Sequence, residues 1–317
     1  TSSKANYFIR LTENFIHHVH LYNVSADGSY YSEKEGIAFL TKKIPLHPPE
    51  FQLKLGAGES KTIYLSVYTF FPSSFAVYVL NTQDLNNYTA NYSIAYAFFF
   101  GILTSLILYN LIIFFYSKDK SYLKYVIYTT LFLLWQIVIN GFLPQNLINT
   151  PAGYYSFVGT LIPMVVSALI SFSCSVLNTK ILLPKFDKAL NSLFYFFLLL
   201  AYLSLINLQL SFIVITALVP ILMPFLIYIA ILCYKKGCKT ALFYIVAQTL
   251  FISSTSLYSL MSEGLLPYNI INRHSIIIGA VIEMTLFSLA LAYKIKLLQN
   301  DKLLILNNQK TQLEEMV

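Results

Sequence analysis

The feature that most constrains this chain is a set of long runs, between about residues 94 and 293, that are apolar and almost free of charge. A helix needs about 20 apolar residues to cross a hydrocarbon layer of roughly 30 Å. Seven segments meet that length: about Ile94 to Tyr116, Tyr122 to Phe142, Tyr154 to Leu177, two within Ala189 to Tyr234, Thr240 to Met261, and Ser275 to Tyr293. The stretch from Ala189 to Tyr234 is too long for one crossing. Its polar run Asn207-Leu-Gln-Leu-Ser211 is the expected turn between spans four and five. Charged residues make up 11% of the chain, against roughly 25% in soluble domains. They concentrate in residues 1–90, in residues 294–317, and in short lysine clusters between spans.

The lysines orient the spans. Lys118, Lys120 and Lys124 follow the first, Lys180, Lys185 and Lys188 the third, Lys235, Lys236 and Lys239 the fifth, and Lys294 and Lys296 the last. The alternate loops, near Pro144–Gly153, Asn207–Ser211 and Glu263–His274, hold only Arg273 as a cation. Short cytoplasmic loops carry the excess Lys and Arg. The expectation is an N-terminus outside and a C-terminus inside. The net charge of +7 belongs to this topology. No basic face or nucleic-acid motif accompanies it, which excludes a nucleic-acid partner.

Residues 1–90 alternate as strands do. Phe51, Leu53 and Leu55 interleave with Gln52 and Lys54, and Ile63, Leu65 and Val67 with Tyr64, Ser66 and Tyr68. Gly56-Ala-Gly58-Glu-Ser60 marks the turn between them. Further strands are expected at Tyr7–Thr12, Ile16–Val24 and Phe75–Leu80, giving an antiparallel β-sandwich. Asn87–Asn91 reads as a short polar linker into the first span. Tyr30, Tyr31 and Phe39 fall near loops of this region, where a sandwich core would use aromatics too. The organisation expected is therefore 1–90 extracytoplasmic β-sandwich, 91–293 seven-helix transmembrane domain, and 294–317 cytoplasmic helix.

Few groups could carry chemistry. His18 and His20 share one strand face and offer half a zinc site, with no third ligand in sequence. Spare strand histidines explain them as well, and no metal or cofactor is assigned. Glu283 is the one carboxylate deep inside a span. A charge there costs about 3 kcal/mol, so Glu283 is a candidate intramembrane switch or a structural hydrogen-bonding group. Asn110, Gln136, Asn140 and Gln248 are the other polar groups within spans, and packing through interhelical hydrogen bonds accounts for such residues. Asn110 and Asn140 join Glu283 as candidates for switch or packing. Pro163, Pro220 and Pro224 are expected to bend their helices. The last span has no lysine for a retinal Schiff base, no span contains an aspartate, and His-Glu-X-X-His is absent. The three cysteines, Cys174, Cys233 and Cys238, lie in or beside spans, so the outer region has no disulfide framework.

Beyond Lys294 the helical pattern continues, free of Gly and Pro. Leu306, Leu313 and Met316 fit helical spacing, as in a short coiled-coil stalk that would pair two copies. The chain opens almost directly in strand-like sequence and stops inside a helical pattern. It reads as a piece of a longer protein.

The stretch from Gly101 through Tyr109-Asn110 to Asp119-Lys-Ser121-Tyr122-Leu-Lys-Tyr125 resembles the first spans of bacterial seven-transmembrane receptors with diverse intracellular signalling modules. So do Asn140-Gly141-Phe142, Leu265-Leu-Pro267, and the last span Ile278-Gly279-Ala-Val-Ile-Glu283 through Ser288, Ala290 and Ala292. The run Pro49-Glu-Phe51 to Val67 is similar to the later part of that family's extracellular jelly-roll domain. The resemblance implies a receptor in a bacterial inner membrane. It would sense a small, carbohydrate-like ligand or an extracytoplasmic partner and signal to a cytoplasmic effector outside this sequence. In that family a histidine kinase, a diguanylate cyclase or a similar module follows the last span, and no enzyme is expected in the present chain. The competing readings are a transporter or channel, which predicts span repeats and a midplane substrate site, and a membrane anchor for a partner protein.

Overall fold

The computed structural model describes residues 5–24, 30–39, 48–69, 74–143 and 150–316. The near-end loop that follows the second span is thus described only in part, with 144–149 outside the described residues.

Six strands open the chain: β1 Ala5–Leu11, β2 His18–Val24, β3 Tyr30–Glu35, β4 Glu50–Leu55, β5 Ile63–Tyr68 and β6 Val77–Asn81. They form two antiparallel three-stranded sheets, ordered β4-β1-β6 and β3-β2-β5. Alternate residues of both sheets point into one core. Ile9, Leu11, Phe51 and Leu53 come from the first sheet and Val19 and Leu21 from the second, with Ile16 between them. The expected strands are therefore present. β3 was not foreseen, because Tyr-Tyr-Ser-Glu-Lys-Glu shows no apolar alternation. It is an edge strand, and Tyr30 and Tyr31 lie on it rather than in a loop, 67% and 63% exposed.

Gly36 ends β3 with φ +115°, and a Cβ there would sit 2.8 Å from the His17 carbonyl oxygen. Only glycine suits that close approach. It lets the 3-10 turn Ile37–Phe39 fold under the sheets. Ile37 is then buried against Val138, Tyr154, Val158 and Leu161 of the helices below. The β region and the bundle thus share apolar packing.

The helices are α1 Thr82–Ser117, α2 Lys120–Ile139, α3 Pro151–Val176, the short α4 Thr179–Leu182, α5 Pro184–Leu203, α6 Leu208–Lys235, α7 Ala241–Ser262 and α8 Ile270–Met316. Seven of these are long and apolar enough to cross a membrane. Two expectations need correction. Residues 87–91 are not a linker, since α1 begins at Thr82. Asn81 caps it by accepting the Asp84 N–H at 2.8 Å, Leu85 is buried, and Thr89 accepts a 3.0 Å hydrogen bond from Arg10 of β1. An N-cap and a buried anchor outweigh the polar composition of this turn. The turn between the fourth and fifth spans is at 204–207, and 208–211 are already helical. Asn207 is the cap there, accepting from the Leu210 N–H at 3.0 Å. Pro163, Pro220 and Pro224 all lie inside continuous helices.

The bundle core is one cluster centred on Tyr122, Tyr125, Tyr128, Phe132, Phe172, Tyr244 and Phe287. α7 and α8 also approach closely, and a Cβ on Gly279 would fall on the Ser254 side chain. α8 is the longest element, 47 residues without a break.

Candidate functional site

One set of the polar groups buried in the bundle lines up along the seam where α8 meets α1 and α2, while Ser173–Tyr244 joins α3 to α7 and Gln248–Met223 joins α7 to α6. At the end nearest the β region, the Arg273 guanidinium of α8 pairs with Glu13 at 2.7 Å. Both side chains are about nine-tenths buried. Glu13 lies in the segment between β1 and β2, so this ion pair ties the β region directly to α8. Burial pushes the Glu13 carboxyl up from its ordinary value, and Arg273 pulls it back only in part. Such a pair costs desolvation to keep, so its clearer use is to fix register rather than to add stability.

Beside it, Tyr96 of α1 donates to the Asn140 Oδ1 at 2.7 Å and contacts the His274 Nδ1 at 3.1 Å. With the phenol proton committed to Asn140, the His274 Nδ1–H is the donor in the second contact. Asn140 in turn donates to the Gln136 carbonyl and side-chain oxygens at 2.9 and 3.0 Å. Tyr92 joins Asn14 of the β region to the Asn140 carbonyl through two 3.4 Å contacts. The network therefore touches the β region, α1, α2 and α8 together.

Midway down, Tyr128 of α2 donates to the Glu283 Oε2 at 2.8 Å, and Tyr125 donates to the Met284 carbonyl at 2.9 Å. The Glu283 Oε1 is buried and has no hydrogen-bond partner among the described residues. A little further on, Asn110 of α1 donates to the Ser288 Oγ at 2.9 Å. At the far end, the Lys294 ammonium meets the Asp119 Oδ2 at 3.0 Å and the Ser121 Oγ at 2.8 Å. Asp119 is also the N-cap of α2, accepting from the Ser121 N–H at 2.8 Å. Burial alone would raise the Asp119 carboxyl, but the Ser121 N–H and Lys294 together hold it below its ordinary value.

At 1.5 Å per residue, Arg273 and Lys294 are about 30 Å apart along α8, roughly one hydrocarbon thickness, with Glu283 near the middle. Apart from the Asn272 hydrogen bond to the Pro267 carbonyl of the preceding loop, the polar contacts described between this helix and other elements are made with α1, α2 or the β region. A rotation or a slide of α8 would break them as a set. Packed interfaces of this kind have discrete arrangements and do not deform continuously.

Of the sequence candidates, Asn110, Asn140 and Glu283 all lie on this one seam, at three depths, and do not touch one another. His18 and His20 are elsewhere. Their rings lie 4.9 Å apart on the outer face of the second sheet, with Tyr68 stacked 5.2 Å from His18 and Phe39 5.7 Å from His20. No group of three His, Cys, Asp or Glu residues is gathered among the described residues. The His17 ring lies 5.5 Å from that of His18 and 5.6 Å from that of Tyr68. Its Nδ1 lies 2.6 Å from the Tyr155 hydroxyl of α3, a further tie between the β region and the bundle. The three cysteines are free thiols. Sequence reasoning missed Glu13, Tyr92, Tyr96 and His274. It noted Arg273 and Lys294 only as topological charges.

These features define a multi-pass membrane protein with seven candidate spans and a small β region fastened to one end of the bundle. The family model described as "7TM diverse intracellular signalling" matches residues 92–294, and the chain belongs to that family. No curated protein and no solved structure matches it.

Proposed function

We propose that the chain is the sensing and transmitting part of a bacterial inner-membrane receptor, oriented with the β region outside and residue 316 in the cytoplasm. In this reading residues 1–90 are a jelly-roll-like sensor for a small, carbohydrate-like ligand or an extracytoplasmic partner. Residues 91–293 carry the change across the membrane. The helix from 294 onward is a coiled-coil stalk that pairs two copies and drives an effector beyond this sequence, such as a histidine kinase or a diguanylate cyclase.

The observation that carries the proposal is the continuity of α8. Glu13 of the β region grips its first turns through Arg273, and the same helix runs unbroken to Met316. A ligand shifts such a device only by binding one arrangement better than the other. The lysine bias between spans supports the orientation. Within the stalk, Leu303, Leu304, Ile305, Leu306 and Leu313 are exposed in the single chain, as helix pairing requires.

The test uses the full chain in lipid nanodiscs, with Cys174, Cys233 and Cys238 replaced by Ala and a cysteine placed by Leu313→Cys. Disulfide formation between copies is timed with and without a panel of oligosaccharides. The receptor reading expects at least one oligosaccharide class to change the crosslinking rate. Unchanged rates across the panel, together with oligosaccharide-dependent flux in proteoliposomes, would replace it with a transporter.

A further inference from the structure

Two cavities meet inside the bundle. The first, about 210 Å³, lies beneath the β region, and Glu13, Tyr96, Asn140, Tyr258, Arg273 and His274 give it a polar wall. The second, about 400 Å³, lies deeper among α2, α3, α6, α7 and α8, and Phe132, Leu169, Ile215, Val219, Met223 and Phe251 make it apolar. Trp135, Ile162 and Ile276 wall both. Ligand sites commonly run from about 300 to 1,000 Å³ and combine apolar walls with a few convergent polar groups.

The charges narrow the occupant. Arg273 is already neutralised by Glu13 at 2.7 Å. A head with net charge would have to break that pair in a site of low dielectric. One donor remains unused at the junction. The Trp135 Nε1–H is buried and has no partner among the described residues. A buried N–H of this kind costs free energy until an acceptor reaches it.

We propose that the two chambers form one site for a neutral amphiphile. Its polar head occupies the chamber under the β region, and its apolar part passes Trp135 into the deeper chamber. A turn of the Trp135 ring on binding brings its Nε1–H, which is shut off from both chambers as it stands, to an ester or hydroxyl oxygen where head meets tail. A monoacylglycerol or a fatty alcohol has this chemistry. The site lies against the α8 seam. Tyr96, Asn140 and His274 wall the first chamber, and Tyr128, which donates to Glu283, walls the second. An occupant therefore touches the contacts that hold α8 in place. Binding here does not depend on whether the chain signals.

Trp135 is the only tryptophan in the chain, so its fluorescence reports the junction alone. The full chain is placed in nanodiscs of non-quenching lipid and titrated with a monoacylglycerol brominated along its tail. Saturable quenching is expected. Ile276→Phe, which narrows the junction, and Val219→Phe, which fills the deeper chamber, should each weaken it on the order of tenfold. A brominated fatty acid and a brominated alkyltrimethylammonium should quench only by unsaturating partition. Preloading the amphiphile into the disc lipid, against adding a short-chain version from water, distinguishes a bilayer source from an aqueous one. Quenching that never saturates and is equal in wild type and both variants would overturn the site. Saturation by the charged amphiphiles equal to that by the neutral one would overturn the ligand class. If one variant is not monodisperse, the other carries the comparison.

Discussion

Removing either partner of the Glu13–Arg273 pair should destabilise the protein, but only the loss of Arg273 should depend on pH. Arg273→Met leaves the Glu13 carboxyl buried without its cation. That carboxyl can escape by taking a proton, at about 1.4 kcal/mol for each pH unit above its ordinary value. With an ordinary value of 4.5, the escape costs about 4 kcal/mol at pH 7.5 and about 1.4 kcal/mol at pH 5.5. Glu13→Gln instead strands a guanidinium, which does not lose its proton in a protein. Its defect should be several kcal/mol and the same at both pH values. The double variant, with no charge left to bury, should recover most of the loss. Thermal unfolding followed with a thiol-reactive dye suits this chain, because its three cysteines are free and lie in the bundle. At roughly 2 °C per kcal/mol for a chain of this size, Arg273→Met should melt about 8 °C below wild type at pH 7.5 and about 3 °C below it at pH 5.5. Each variant is compared with wild type at the same pH. Equal losses in both single variants at both pH values, or single losses that simply add in the double, would refute the reasoning.

Glu283→Gln keeps an acceptor for the Tyr128 hydroxyl and should change the melting midpoint little, whereas Glu283→Leu strands that buried hydroxyl and should cost about 1–3 kcal/mol by the same dye assay. Gly279→Leu should wedge α7 from α8 at Ser254, costing about 1–3 kcal/mol or preventing a monodisperse product on size-exclusion chromatography. Burial first, and the neighbouring His18 second, lower the His17 imidazole from 6.5; burial, His18 and Lys34 lower His20. Their folded values lie below the unfolded value, so their contribution is complete above about pH 6.5 and is lost as pH falls through it. Hydrogen exchange of β2 should therefore accelerate between pH 7.5 and 5.5 beyond its intrinsic pH dependence, and a His17→Gln, His20→Gln variant should flatten that response.

The spans and the long last helix were legible because apolar runs of this length have few folded uses, and because nothing from Lys294 onward breaks a helix. The seam was legible in part. Glu283, Asn110 and Asn140 stood out as polar groups within apolar segments, but their depths and partners depend on how α1, α2 and α8 pack. Arg273 was conspicuous as the lone cation of its loops. Its partner was not, since Glu13 is an ordinary acidic residue of a polar region, distant in sequence. Tyr92 and Tyr96 were hidden among 25 tyrosines. The early start of α1 was missed because the Asn81 cap and the buried Leu85 are single residues within a polar stretch. The edge strand Tyr30–Glu35 carries no alternation to read, since little of it is buried.

The central claim is that the state of the β region is felt at the far end of α8. Spin labels at Lys120, beside the Asp119 cap, and at Leu298, just past Lys294, measure that coupling within one chain by pulsed electron resonance. Glu13→Gln should shift or broaden the distance distribution, while Glu59→Gln, which breaks the more exposed Lys61–Glu59 pair and keeps an acceptor for the Gly56 N–H, should leave it as in wild type. A Glu13→Gln distribution identical to wild type would contradict the account.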